Sequence, residues 1–328
     1  MIRIMYSPQE GEYRTDLQVA DLTAVLPQEE GWVWVDFEGE TPEACEPVLR
    51  DVFNFHPLAV DDALNETHVP KIDDWQAYLY IVLRAVTYAM DREEGIEIPE
   101  LDIFIGKNYM VTHHDKALTA VDRVWIACQR DERLLTNGPD HLLYRLTDEL
   151  ISDAITVIEQ IQDTLDEVED LIFMSPSPQT AERIFHLKRD ILRMRRVITP
   201  QREVLNKLAR DNYDMIDPQD RVFFRDVYDH MMRSYELLDN LRDMTGSALD
   251  TYLSVVNNRM NDVMKTLAVF TALFMPLGFI TGFFGMNFFA ATINTELWSG
   301  WVSFEIAMVL MLAVPFSMVF WMRRRGWF

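Results

Sequence analysis

The sequence predicts an α+β membrane protein: an N-terminal cytoplasmic α/β domain, a long helical stalk and two C-terminal transmembrane helices. Short runs rich in β-branched and aromatic residues are confined to the first part of the chain, up to about residue 130. From Pro139 onward apolar residues recur at helical intervals, and Gly and Pro become scarce. Nearly all of the long uncharged sequence is held back to the C-terminal end of the 328 residues.

Taken in order, the chain opens MIRIMYSPQEGEYRTD, with Arg3, Glu10 and Glu12 and no apolar core segment, so it reads as neither a signal peptide nor a transit peptide. Residues 31–37 (GWVWVDF), 77–88 (AYLYIVLRAVTY) and 101–112 (LDIFIGKNYMVT) are the strand candidates of an α/β domain assigned to residues 1–135. Leu143, Leu146, Leu150, Ile151, Ala154, Val157, Ile158, Ile161, Leu165 and Val168 mark the apolar stripe of a long helix that stops at Ser175-Pro176-Ser177-Pro178. A second helix is expected over 179–208. A third begins near Pro218 and, with only Gly246 interrupting its period and Pro276 well inside it, continues without a break into the first apolar run. Residues 136–265 are thus a helical hairpin and a stalk.

The run 266–284 (TLAVFTALFMPLGFITGFF) holds no charge over 19 residues, which as helix is about 28 Å, close to the hydrocarbon thickness of a bilayer. The run 306–322 (IAMVLMLAVPFSMVFWM) has 17 residues, at the lower edge of the spanning range, and Trp301, Trp321 and Trp327 flank it as interfacial anchors would. Transmembrane helices are assigned to 266–286 and 304–322, joined by an outer loop at 287–303. The tail 323–328 carries Arg323, Arg324 and Arg325 and is cytoplasmic by the positive-inside rule. Two spans return the chain to its starting side, so both termini are cytoplasmic. The partner this requires is the lipid bilayer of an inner or plasma membrane.

Composition excludes other classes. Fifty-three acidic residues against 30 Lys and Arg leave a net charge of -23, which repels phosphate backbones, so no nucleic-acid partner is expected. Cys45 and Cys128 provide neither a disulfide framework nor a Cys-rich zinc module. No phosphate-binding Gly-Lys loop, His-rich zinc-enzyme motif or nucleophile elbow occurs, so the protein is not read as an enzyme, and His56, His68, His113 and His114 are read as structural or solvated. Acids on the first long helix (Glu159, Asp163, Asp166, Glu167, Glu169, Asp170) face bases on the second (Arg183, His186, Lys188, Arg189, Arg193, Arg195, Arg196) if the two form an antiparallel hairpin.

Two spans per chain cannot enclose water, so any conduction needs a closed ring of identical chains. Asn261, Met264, Leu267, Thr271, Met275, Gly278 and Gly282 recur every three or four residues on one uncharged helical stripe. Such a stripe suits either a lumen or close helix packing through Gly278-x-x-x-Gly282. Phe270, Leu273, Phe274, Leu277 and Phe279, on other faces, suit lipid or the second span.

The span ends in Gly285-Met286-Asn287, inside TGFFGMNFF. With FRDVYDH at 224–230, MNDVMK at 260–265, FMPL at 274–277, Asp62-Ala63-Leu64-Asn65 and Pro70-Lys71, this tripeptide at the outer end of the first of two C-terminal spans resembles the CorA family of divalent-cation transporters over essentially the full length. The resemblance implies a homopentameric funnel and a selectivity ring of Gly285, Met286 and Asn287. It implies a pore lined by the α-helical stripe, with Mg2+ as both substrate and regulatory ligand and no organic cofactor. Asp62 and Asp226 match the family's acidic positions where intracellular Mg2+ bridges neighbouring subunits and holds the pore shut. Neutral oxygens of Asn287 suit Mg2+, which gives up its water reluctantly. Arg323, Arg324 and Arg325 would form a basic ring at the cytoplasmic end.

Departures bear on ion choice. Where many members carry Met-Pro-Glu-Leu in the outer loop, this chain has Asn294-Thr295-Glu296-Leu297, with Glu296 the outward charge, and Gly278 stands where many have Thr. The expected function is Mg2+, and with it Co2+, influx down the electrochemical gradient, worth about 4.6 kcal/mol per divalent ion at 100 mV. Two alternatives stand beside it: Zn2+ transport of the ZntB branch, with proton coupling, and a membrane-tethered scaffold that senses metal without transporting it.

Overall fold

A computed structural model describes residues 1–8, 12–26, 31–65, 67–88, 95–286 and 301–327. Two compact units, Met1–Leu249 and Asp250–Phe328, divide the chain.

The first unit is built on a six-stranded sheet of order β1-β2-β8-β7-β4-β3. Its strands are β1 (Ile2–Ser7), β2 (Trp32–Glu38), β3 (Lys71–Asp74), β4 (Leu79–Arg84), β7 (Glu100–Ile105) and β8 (Tyr109–His114), while β5 (Thr87–Tyr88) and β6 (Ile96–Glu97) form a separate ladder. Neighbours are antiparallel except β2 with β8, which run parallel. Period-2 side-chain alternation divides the sheet into two faces. On one face Val33, Val35, Phe37, Tyr80, Val82, Phe104 and Val111 pack with Cys45, Leu49, Ala59, Val60 and Ala63, which come from helix α2 (Pro42–Pro47), the short helical turn after it and α3 (Pro57–Asn65). A short helix, α1 (Leu22–Val25), adds Leu22 to the same core. On the other face Trp34 meets Trp125 of α4 (Thr119–Arg130) at 4.8 Å.

The strand runs fold differently from the simplest reading of the sequence. Residues 77–88 divide into β4 and β5, and residues 101–112 are not one strand but the β7–β8 hairpin. The break falls at Gly106-Lys107-Asn108, where turn residues interrupt the alternation and the Gly106 amide donates to Tyr109 O at 3.0 Å. The N-terminal segment, read only for what it is not, supplies edge strand β1.

The helices follow the apolar period. Helix α5 (Pro139–Met174) starts with Pro at its first turn, α6 (Pro178–Arg210) is capped by the Ser177 side chain, and α7 (Arg221–Gly285) runs uninterrupted through Gly246 and Pro276. The start of α7 lies three residues beyond Pro218, because the Asp217 side chain caps a turn at Gln219 N. Arg183 of α6 reaches Glu167 of α5 at 3.3 Å, whereas Arg195 turns to Asp239 of α7 at 3.4 Å. The segregated charges therefore serve more than one helix pair. The second unit contains the C-terminal part of α7 and helix α8 (Trp301–Arg324), which ends in Arg323 and Arg324.

Candidate functional site

Asn261, Met264, Leu267, Thr271, Met275, Gly278 and Gly282 all lie on α7, and at 100° per residue they fall within an arc of roughly 120°. Every one is exposed in the single chain, Met275 by 74%. The shielded positions of the same segment, Val269, Ala272, Leu273, Pro276, Leu277 and Ile280, centre on the opposite side of the helix. A Cβ built on Gly278, Gly282 or Gly285 would meet nothing within 4 Å. At Gly278 and Gly282 the stripe thus meets nothing among the described residues, so packing between those residues does not account for its glycines.

Two chemical details qualify the stripe. Thr271 Oγ1 donates to Leu267 O at 2.9 Å, so this hydroxyl is folded back onto the helix. Pro276 has no amide hydrogen, which deprives the Ala272 carbonyl of its helical donor. Leu273 and Leu277 are half-buried while Phe270, Phe274 and Phe279 stay exposed. Gly285 ends the helix and Met286 follows it, with its amide donating weakly to Phe283 O at 3.4 Å. Asn287 and Glu296 lie outside the described residues.

In α7 and α8 alike the most apolar window is only 6% buried. A core helix of a soluble protein would be covered; exposed Phe274, Phe279, Leu312 and Phe316 instead form apolar surface that needs lipid or further protein. At the C-terminal end of α8 the Arg324 and Arg325 guanidinium groups sit over Phe320 and Trp321 at 5.1 and 5.5 Å. Glu305 is exposed near the other end of α8.

The two acids singled out for regulation sit in different surroundings. Asp62, on α3, is engaged: Lys71 Nζ lies 2.6 Å from its Oδ2 and His68 Nε2 3.7 Å from its Oδ1. Lys71 also reaches Asp73 at 3.0 Å, and although burial works against its charge, the two carboxylates raise its pKa. Asp226, on α7, is largely exposed, with His230 one turn on at 3.9 Å. His230 faces Asp148 of α5 at 3.8 Å, and burial pushes the Asp148 carboxyl up despite that histidine. Among the described residues no three His, Cys, Asp or Glu side chains of one chain converge to hold a metal. Any bridging ion at Asp62 or Asp226 needs a ligand from elsewhere.

Residues 29–324 match the CorA-like Mg2+ transporter protein family. The chain belongs to the CorA family. The cobalt/magnesium transport protein CorA of Thermotoga maritima is 31% identical over 96% of this chain and 89% of its own length. The zinc transport protein ZntB of Yersinia pseudotuberculosis is 23% identical over 90% and 87%. The complete CorA magnesium transporter structure from Methanocaldococcus jannaschii superposes with a TM-score of 0.83, at 22% identity, over 100% of this chain and 99% of that one. The CorA-family architecture of an N-terminal α/β domain, a long helix and two apolar C-terminal helices is therefore the fold of this chain.

From the sequence, His68 reads as structural or solvated, and Lys71 and His230 only as parts of family-like segments; that reading does not connect these residues, or Asp148, with the two acids they surround. The i, i+4 spacing of Asp226 and His230 was a readable signal; the approach of Asp148 from α5 required the packed helices. His113 and His114, read as structural or solvated, are both buried. His114 pairs with the fully buried Asp36 at 3.2 Å in a network that includes Arg3 and Thr112.

Proposed function

We propose that the chain assembles as a homopentamer and conducts Mg2+, with Co2+ as a second substrate, into the cell down the electrochemical gradient. The observation that carries this reading is the uncharged stripe of α7: exposed in the single chain, open at its glycines, and opposite the shielded face. In a ring, one such helix from each subunit encloses a lumen whose Met264, Leu267 and Met275 rings close by dewetting and whose Asn261 ring is polar. Asn287 oxygens at the outer mouth hold hydrated Mg2+ without stripping its water. Both termini face the cytoplasm, and Arg323 to Arg325 ring the inner end.

Intracellular Mg2+ is also the regulatory ligand. An ion between Asp62 of one subunit and Asp226 of the next neutralises facing carboxylates and favours the closed ring, and loss of the ion releases it. The ion must displace Lys71 from Asp62, which sets how much Mg2+ closure requires.

The test is uptake into proteoliposomes loaded with a Mg2+-sensitive dye, wild type against Asn287→Ala, repeated with Co2+ and Zn2+ under an imposed pH gradient. Mg2+ influx abolished in the variant and indifferent to pH supports the channel. The ZntB relative motivates the second reading, and a Zn2+ flux that follows the proton gradient would replace Mg2+ by Zn2+ as substrate. Absence of flux for every ion leaves a membrane-tethered metal sensor.

A further inference from the structure

Asp102 of β7 and His113 of β8 are direct cross-strand partners, so both side chains stand on the same face of the sheet. They line a cavity of about 220 Å³ at the C-terminal end of α3, beside Asn65 and with the exposed Asp115 and Lys116 at its rim. Asp102 is 3% exposed and His113 4%. The Tyr80 hydroxyl, itself buried, donates to Asp102 Oδ1 at 2.7 Å. The other carboxylate oxygen, Oδ2, lies 3.7 Å from His113 Nδ1, beyond hydrogen-bond distance. His113 Nδ1 has no hydrogen-bond partner among the described residues.

A buried carboxylate with one neutral hydroxyl donor lacks compensation for its charge, and a buried ring nitrogen with no partner loses its hydration for nothing. One ion between them would repair both. Two bonds of 2.0 to 2.1 Å at a tetrahedral angle place their donor atoms about 3.4 Å apart, so a small rotation of the imidazole closes the observed gap. The Tyr80 hydrogen bond is the contact that orients a ligating carboxylate. The neighbouring Glu100 is already committed, to Arg84 at 2.6 Å and to the His68 amide at 2.9 Å. Among the described residues no third His, Cys, Asp or Glu joins them, so water in the cavity would complete the shell.

We propose that Asp102 Oδ2 and His113 Nδ1 bind one divalent transition-metal ion of the Zn2+, Co2+ and Ni2+ class within the cytoplasmic α/β domain. Imidazole nitrogen selects this class over Mg2+, which prefers oxygen and keeps its water. The site lies wholly within the first unit and shares no ligand with Asp226 or the α7 stripe; Asp62 is a neighbour through Lys71, which sits over the Tyr80 ring at 5.1 Å, but is not one of its ligands. Failure of the flux assays therefore leaves it standing.

The test is equilibrium dialysis of the full-length protein in detergent against Zn2+ with excess Mg2+ present, so that carboxylate-only sites are filled. The expected result is one Zn2+ retained per chain, with X-ray absorption showing an imidazole nitrogen in its shell. His113→Gln and Asp102→Asn should abolish retention, Tyr80→Phe should weaken it about tenfold, and His56→Gln and His186→Gln should leave it unchanged. No Zn2+ on the wild type, Zn2+ with an oxygen-only shell, or undiminished retention in His113→Gln each overturns the site. If a core variant unfolds, wild-type absorption and the Tyr80→Phe affinity decide the matter.

Discussion

Lys71 is the residue whose surroundings change expectation most. Its ammonium already occupies the carboxylate that the family resemblance assigns to a regulatory ion. A partly exposed pair of this kind is worth about 1 kcal/mol, so Lys71→Met should lower the Mg2+ concentration that half-closes the channel by about fivefold, read from dye uptake at graded internal Mg2+. Unchanged closure would mean that Asp62 does not bind the regulatory ion. A second acid makes a pH prediction. Asp220 is 3.7 Å from His141 Nδ1, and burial together with the facing Asp140 carboxyl pushes its pKa up to about 6. Asp217 adds a like charge, and the Asp217 amide donates to Asp140 at 2.9 Å. The folded chain thus holds a proton that the unfolded chain releases near pH 4. Stability contributed by this group is full below about pH 4 and is lost as pH rises through about 6. Asp220→Asn should raise Tm at pH 7 and leave it nearly unchanged at pH 4; parallel curves across that range would refute the assignment.

At the scale of elements, helices were more legible than strands. An apolar residue every three or four positions reports one face of a helix whatever it packs on, so α5, α6 and α7 were readable with ends displaced by a few residues. Strands β7 and β8 are short and almost wholly buried, so each side of 101–112 reads as an apolar stretch, and only the Gly106-Lys107-Asn108 turn marks where one strand ends and the next begins. The β7 strand is central to the core: Phe104 stacks on Phe55 at 4.3 Å and on Tyr80 at 4.7 Å. Phe104→Ala should therefore cost about 3 to 5 kcal/mol in denaturant unfolding. Gly278 poses the opposite case. Its added side chain meets nothing in the single chain, and replacing Gly gains up to about 1 kcal/mol of helix propensity. Gly278→Leu should leave the chain folded yet reduce Mg2+ flux, because the side chain would enter the proposed lumen; wild-type flux in this variant would count against a pore along this stripe.

For the whole molecule, the exposed apolar surface of α7 and α8 needs lipid or further protein, which the proposed ring of five copies would supply. Light scattering of the detergent-solubilised protein should give a protein mass five times the 38.4 kDa chain. A monomer would leave the stripe without a lumen. With a net charge of -23 per chain, the subunits of such a ring would attract divalent ions and repel one another, so raising monovalent salt should weaken the proposed Mg2+ regulation.

The two apolar C-terminal helices, the long helix leading into the first of them, the family and the uncharged stripe of α7 were all legible in the amino-acid order, because hydropathy and helical periodicity are local properties that neighbours in sequence express together. The pairing of Asp62 with Lys71, the approach of Asp148 to His230 and the burial of Asp102 beside His113 were decided by the tertiary structure alone. Each depends on the strand register or helix packing that brings separated residues within a few ångströms, and on the loss of water that makes their charges felt.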